Sequence, residues 1–374
     1  MISDRLFTIR EEGDAVVILD QTLLPHRHVT RHLNTLADAA HAIRAMLVRG
    51  APLIGVTAAY GVALAMKEGA GNEALENARR TLAATRPTAV NLHWALARMN
   101  AHLAALPLAQ RRVAAWAQAR AIAAADAEAN RRIGEHGLAL FDGIARRPLQ
   151  LMTHCNAGWL ATAAWGTALA PVYAARQAAL PLHVYVSETR PRNQGLLTAW
   201  ELHEAGIAHT LIADNAAGHL LRQGAVDLVI VGADRIAANG DVANKIGTYL
   251  KALAARDNGI PFYVAAPLST IDMDCADGAQ IPIEERDGGE LRHFGGLNRD
   301  GTPASVAIAP EATAVANPAF DVTPAALVAG IITEHGVCAP GELARLFGDA
   351  RRPPRSGKPA PRPSPGRGTR GRQP

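Results

Sequence analysis

Cysteine is nearly absent from this chain: 374 residues contain three, at positions 155, 275 and 338. The number is odd, the spacing is wide and no C-x-x-C occurs, which excludes a disulfide framework and a cysteine zinc site. Aromatic residues make up 4% of the chain, so any core must be packed with aliphatic side chains. No apolar run approaches the ~20 residues needed to span a membrane. The opening MISDRLFTIREEGDAVVILD mixes charges of both signs and lacks the apolar core of a secretory signal, so a cytoplasmic location is the expectation. No G-x-G-x-x-G, Walker loop or H-E-x-x-H is present, which removes the usual signatures of dinucleotide, nucleoside-triphosphate and paired-histidine metal sites.

Charge of one sign is missing from the C-terminus. Residues 351–374 hold seven Arg and one Lys and no acid. Taking those eight positive charges from the net +4 leaves the rest of the chain at −4, so the basic balance belongs to the tail. The tail is rich in Pro, Gly and Ser and has no large apolar residue, a composition that cannot repay the entropy of ordering. We expect a disordered basic tail over 349–374, with no membrane and no nucleic-acid partner.

What is abundant is alanine and aliphatic residues. Apolar residues are 49% of the chain, enough for a sizeable core, and the length suits two domains. DAVVILD (14–20) reads as a strand. From Thr35 to about Ala145 apolar residues recur at helical spacing, broken at Gly69-Ala70-Gly71 and Arg86-Pro87-Thr88. After Pro148 the rhythm changes to LQLMTH (149–154), LHVYVS (182–187), HTLIAD (209–214), DLVIVG (227–232) and PFYVAA (261–266). Such continuous apolar strands, with helical segments at 194–204 and 243–258 between them, predict a parallel sheet covered on both faces. SVAIA (305–309) reads as one more strand and Pro324–Glu334 as a closing helix. The expected fold is α/β: a smaller, mostly helical N-terminal domain with some strand (1–147) and a doubly wound, Rossmann-like domain (148–348).

In open α/β sheets ligands bind beyond the carboxyl ends of the strands. Those ends carry His154, Cys155 and Asn156; Ser187 to Arg190; Asp214; and Asp234 with Arg235. Helix capping accounts for Ser187 and Asp214. It accounts poorly for Cys155, which we read as a functional thiol. Arg49-Gly50-Ala51-Pro52 opens an apolar helix, and the free amides of a helix start beside an arginine fork suit a phosphate.

These segments together resemble the methylthioribose-1-phosphate isomerases, relatives of the regulatory alpha, beta and delta subunits of translation initiation factor 2B. The resemblance runs from about Leu19 to Phe347. It rests on RGAPLIGVTAAYG (49–61), TRPTAVNLHWA (85–95), THCNAGWLAT (153–162), ETRPRNQGLLTAWEL (188–202), GADRIAANGDVANKIGTY (232–249), AAPLSTID (265–272) and IPIEER (281–286). It implies an aldose–ketose isomerase of methionine salvage that converts 5-methylthio-α-D-ribose 1-phosphate to 5-methylthio-D-ribulose 1-phosphate. It implies Cys155 and Asp234 as the catalytic thiol and acid. Arg49, Gly50, Ala51, Arg86, Gln194, Asn244 and Lys245 become the substrate-binding residues, the last two at the start of a helix. A homodimer without metal or organic cofactor is implied as well. The sequence departs from the family pattern at Ala157, where many members have Thr, and at Trp159, where many have a small residue. Trp159 and Trp165 are expected near the substituent on the sugar's C5, where apolar walls favour a methylthio group. Isomerases of 5-deoxyribose 1-phosphate or ribose 1,5-bisphosphate, and a non-catalytic initiation-factor subunit, are the alternatives.

Overall fold

The computed structural model describes residues 7–350; the basic stretch 351–374 lies outside them. Three antiparallel strands open the chain, β1 (Ile9–Glu12), β2 (Ala15–Leu19) and β3 (Thr30–Leu33), with β2 in the middle and buried throughout. Its β-branched AVVIL suits a covered pleated surface. Five helices follow: α1 (Leu36–Arg44), α2 (Ala51–Glu68), α3 (Asn72–Ala83), α4 (Val90–Ala104) and α5 (Leu108–Leu138). Thr35 and Asp38 close a capping box on α1. The breaks at Gly69–Gly71 and Arg86–Thr88 fall between helices, as their turn residues predict. α2 is buried on every side from Ala51 to Met66, since α1, α3, α4 and α5 all pack on it. A helix apolar all round belongs at the centre of such a bundle.

From Leu149 the chain alternates strand and helix: β4 (Leu149–Thr153), α6 (Ala170–Gln177), β5 (Leu182–Ser187), α7 (Gly195–Glu204), β6 (Ala208–Ile212), α8 (Ala216–Arg222) and β7 (Leu228–Val231). Then come β8 (Arg235–Ala237), β9 (Val242–Lys245), α9 (Thr248–Asp257), β10 (Phe262–Ala265) and β11 (Ile271–Asp272). The chain ends with α10 (Gly289–Arg292), β12 (His293–Leu297), β13 (Pro303–Ala307), β14 (Phe320–Thr323), β15 (Gly330–Thr333), β16 (Gly336–Cys338) and α11 (Leu343–Ala350). The large sheet runs β16-β15-β10-β7-β4-β5-β6, parallel throughout except for edge strand β16. Alternate residues feed two cores. Leu151, Leu228 and Ile230 face α6 and α7, while Met152, Val229 and Val231 face α8 and α9. Both faces are dry, which is why these strands read as unbroken apolar runs.

Three segments differ from expectation. Ala243–Lys245, expected as the start of a helix, belong to strand β9, paired with β8 and β14, and the helix begins only at Thr248. Alanine-rich composition suggested helix there, but Gly247 at φ +98° ends the strand with a sharp turn. Asn244 and Lys245 therefore end a strand and do not start a helix. Gly330–Thr333, expected within a closing helix, is a fully buried strand beside β10; its β-branched GIIT fills a sheet position that periodicity over so short a run does not reveal. Of SVAIA (305–309) only Ser305–Ala307 are strand, the end of β13, and they pair in a separate hairpin with β12 instead of joining the large sheet.

Candidate active site

The sheet order sets the location of the cleft. From β4 the chain moves to β5 on one side, while β7 lies on the other side and leads to β10. This reversal between β4 and β7 is the switch point at which α/β sheets bind ligands. A cleft of about 440 Å³ opens there, and Arg49, Gly50, Ala51, Arg86, Cys155, Gln194, Asp234, Asn244 and Lys245 all line it. Residues up to 196 positions apart in sequence thus share one concavity, with the start of α2 forming its opposite wall.

Cys155 follows β4 in the left-handed region, φ +64°. That backbone costs a non-glycine residue about 1–3 kcal/mol unless its surroundings hold it. Here two neighbours do: the Cys155 N–H donates to the Thr189 hydroxyl at 2.9 Å, and the Thr198 hydroxyl donates to the Cys155 carbonyl at 2.7 Å. Burial pushes the thiol's pKa up, Arg49 and Lys245 draw it down, and Asp234 pushes it up again, with a net rise. Asp234 follows β7, and its N–H donates to the Ala243 carbonyl at 2.9 Å. Burial raises its carboxyl pKa above the ordinary range despite the opposing charges of Lys245, Arg86 and Arg49. Lys245 responds in the opposite sense: burial lowers its pKa against the pull of Cys155 and Asp234. Its ammonium lies 4.9 Å from the Phe320 ring centre.

The Arg49 fork is anchored, one arm on the Asn156 side-chain oxygen and the other on the Asn156 carbonyl at 2.6 Å. Gly50 has φ +96°, and a Cβ there would lie 2.5 Å from Ala161, so both conformation and space require glycine. Arg86 faces Glu284 at 3.4 Å, and Glu284 also pairs with Arg286 at 2.8 Å. Asn244 donates to the Thr248 hydroxyl at 3.0 Å. Gln194 precedes α7, and its Oε1 is buried without a hydrogen-bond partner among the described residues, which leaves an acceptor free for a ligand.

The structure corrects one expectation about the walls. Trp159 is 3% exposed and packs on Trp200 in the core, and neither Trp159 nor Trp165 lines the cleft. The apolar wall instead comes from Leu23, Leu24, Met46 and Ile54 on one side and Leu196 and Leu197 on the other. Glu201 and Arg286 were not singled out from the sequence, and Asp214 was set aside as a helix cap. Glu201 had a readable signal, since helical spacing puts it on the buried face of α7 with Leu197 and Thr198. Asp214 stood at a readable strand end, but its partners Ser187, Thr189 and Arg190 come from a distant segment; Arg286 lay within the IPIEER stretch, with its partners Glu284 and Glu290 close by in sequence. Asp214 does not cap a helix as expected; it accepts hydrogen bonds from the Ser187 hydroxyl and the Thr189 and Arg190 amides.

A helical bundle joined to a parallel sheet, with a thiol, a carboxyl group and several cations at the switch point, defines an α/β protein built to hold an anionic small molecule. The model of the Initiation factor 2 subunit family matches residues 47–340, and the chain belongs to that family. Methylthioribose-1-phosphate isomerase of Dechloromonas aromatica is 62% identical over 336 residues, covering 88% of this chain and 93% of that protein. The protein of the same name from Methylorubrum extorquens is 58% identical, covering 91% and 95%. Among solved structures, 5-methylthioribose 1-phosphate isomerase from Pyrococcus horikoshii is 41% identical with a TM-score of 0.80, covering 93% of this chain and 97% of that one. A translation initiation factor eIF-2B subunit delta from A. fulgidus is 40% identical with a TM-score of 0.76, covering 91% and 97%.

Proposed function

We propose that this protein isomerises 5-methylthioribose 1-phosphate to the corresponding ribulose 1-phosphate. The 62% identity to an isomerase of that name, over nearly the whole of both chains, carries the reading. The cleft supports it with cations for the phosphate and an aliphatic wall for an apolar C5 substituent.

The substrate is a cyclic aldose 1-phosphate, whose ring cannot open as a free hemiacetal would. Breaking the ring C1–O bond needs a proton on the departing oxygen. Asp234 supplies it, because burial keeps the carboxyl group protonated to higher pH than usual. The C2 hydrogen then moves with its electron pair to the electron-poor C1, while the 2-hydroxyl becomes the ketone and gives its proton to the Asp234 carboxylate left by the first step. A thiol whose pKa is raised stays protonated near neutral pH and cannot take up another proton, so the Cys155 environment fits a hydride shift better than proton abstraction from C2. Arg49, the Gly50–Ala51 turn and Lys245 hold the phosphate through both steps. The unpartnered Gln194 oxygen accepts a sugar hydroxyl. The working form is a homodimer in the cytoplasm, a reading that rests on the family resemblance and is checked by light scattering.

The 40% identity to a protein titled as an initiation-factor subunit is the observation behind a second reading, a non-catalytic regulatory subunit. The test for both is ketose formation from ribose 1-phosphates bearing methylthio, hydrogen, hydroxyl or phosphate at C5. Preferred turnover of the methylthio compound is expected. Turnover of none would leave the regulatory reading standing.

A further inference from the structure

Glu201 lies outside the cleft on α7, fully buried, and its carboxylate accepts four hydrogen bonds. Oε1 receives the Asn156 side-chain amide at 2.8 Å and the Leu160 N–H at 3.1 Å. Oε2 receives the Trp159 N–H at 2.8 Å and the Tyr173 hydroxyl at 2.6 Å. A buried carboxylate is costly unless its lone pairs are filled, and here two come from side chains and two from the loop that follows Cys155. Gly158 makes room for it, since a Cβ there would collide with Oε2.

Both ends of this arrangement lead to the same turn. Asn156 uses its amide for Glu201 and its two oxygens for the Arg49 guanidinium. The loop held by the Trp159 and Leu160 amides presents Ala161, against which Gly50 packs without room for a Cβ. Glu201 thus acts on Arg49 through Asn156 and on Gly50 through Ala161. The Asn156 amide cannot rotate without giving up Glu201 at 2.8 Å and Thr198 at 3.1 Å, so these two acceptors, one of them the carboxylate, set which way its side-chain oxygen faces. We propose that Glu201 is the positioning residue for the Arg49–Gly50 turn, setting the anion affinity of the cleft without touching the ligand. This rests on the reading of Arg49 and Gly50 as phosphate ligands.

The test is a double-mutant cycle with inorganic phosphate as the probe, titrated calorimetrically, alongside KM and kcat for the methylthio substrate. Arg49→Ala and Glu201→Gln should each weaken phosphate binding about tenfold, with KM rising more than kcat falls. The double variant should bind phosphate clearly better than the product of the two single losses predicts, because part of the Glu201 effect passes through Arg49. A merely structural role would give losses that multiply, and that result overturns the inference. Unchanged phosphate affinity in Glu201→Gln overturns it equally. Unchanged affinity in Arg49→Ala would remove the phosphate reading itself, and the inference with it. Should Glu201→Gln fail to fold, Glu201→Asp keeps the charge and draws the carboxylate back from the Asn156 amide; its loss of phosphate affinity must be partly absorbed by Arg49→Ala, and unchanged affinity or fully independent losses overturn the proposal.

Discussion

Asp214, at the end of one strand, accepts the backbone N–H of Arg190 at 2.7 Å, beyond the end of the neighbouring strand. The same carboxylate accepts the Thr189 N–H at 2.9 Å, and the Thr189 hydroxyl in turn receives the Cys155 N–H. Three adjacent strand ends are thereby tied together behind the thiol. Thr189 has φ +66°, an uncommon conformation for a β-branched residue, and the Asp214 clamp holds it there.

Asp214→Asn should therefore loosen the thiol. We expect kcat to fall about tenfold and stability by ~1.5–3 kcal/mol, the range for hydrogen bonds to a charged group. Burial raises the Asp214 pKa, but the Ser187 hydroxyl, Lys251 and the two amides more than reverse this, so the net shift is downward. A lowered carboxyl pKa stabilises the fold above the ordinary value near ~4 and loses that contribution as pH falls through the folded value. The melting-temperature deficit of the variant should be full at pH 7 and shrink below about pH 4. An equal deficit at both would contradict the clamp.

Gly50→Ala should be severe. The new methyl group meets Ala161 at 2.5 Å, and its backbone must hold φ +96°. We expect a loss of more than ~1 kcal/mol in stability and a KM increase of at least about tenfold. Urea unfolding and steady-state kinetics check this; a variant with wild-type KM would detach this turn from the phosphate.

Asp234→Asn preserves shape and removes the acid. A kcat loss of at least ~100-fold is expected, the low end for general acid–base catalysis. Because burial raises the Asp234 pKa, wild-type kcat should fall as pH rises through that raised value. That alkaline limb should vanish from whatever activity the variant retains. A limb that persists in the variant would assign the titration to another group.

Asp126 on α5 makes a separate prediction. Its carboxyl group accepts the Ala163 N–H at 2.7 Å, and burial pushes its pKa up to about 7. The folded state then binds a proton that the unfolded state has released, so this group subtracts stability as pH rises from about 4 to 7. Asp126→Asn keeps an oxygen acceptor for Ala163 and abolishes the titration. Its melting temperature relative to wild type should be higher at pH 8 than at pH 5, and a constant difference across that range would show that Asp126 does not titrate there.

The strand ends carrying Cys155, Asp214 and Asp234 were legible because a parallel sheet dry on both faces forces unbroken apolar runs, whose ends are abrupt. The bundle was legible from helical spacing and two glycine and proline breaks. Short elements were not: Val242–Lys245 and Gly330–Thr333 span four residues each, too few for a period to register, and their strand state comes from the partners beside them. Residue type alone placed Trp159 against the substrate, whereas packing sent its ring into the core against Trp200 and left the cleft wall to aliphatic residues. The sequence by itself determined the class of fold through local pattern, and its resemblance to the isomerases named the nine residues that meet in the cleft. Only the tertiary structure decided what holds them: Glu201 behind Asn156 and Asp214 behind Thr189 act across 45 and 25 residues of chain, and a hydrogen bond over that separation exists only once the strands lie side by side.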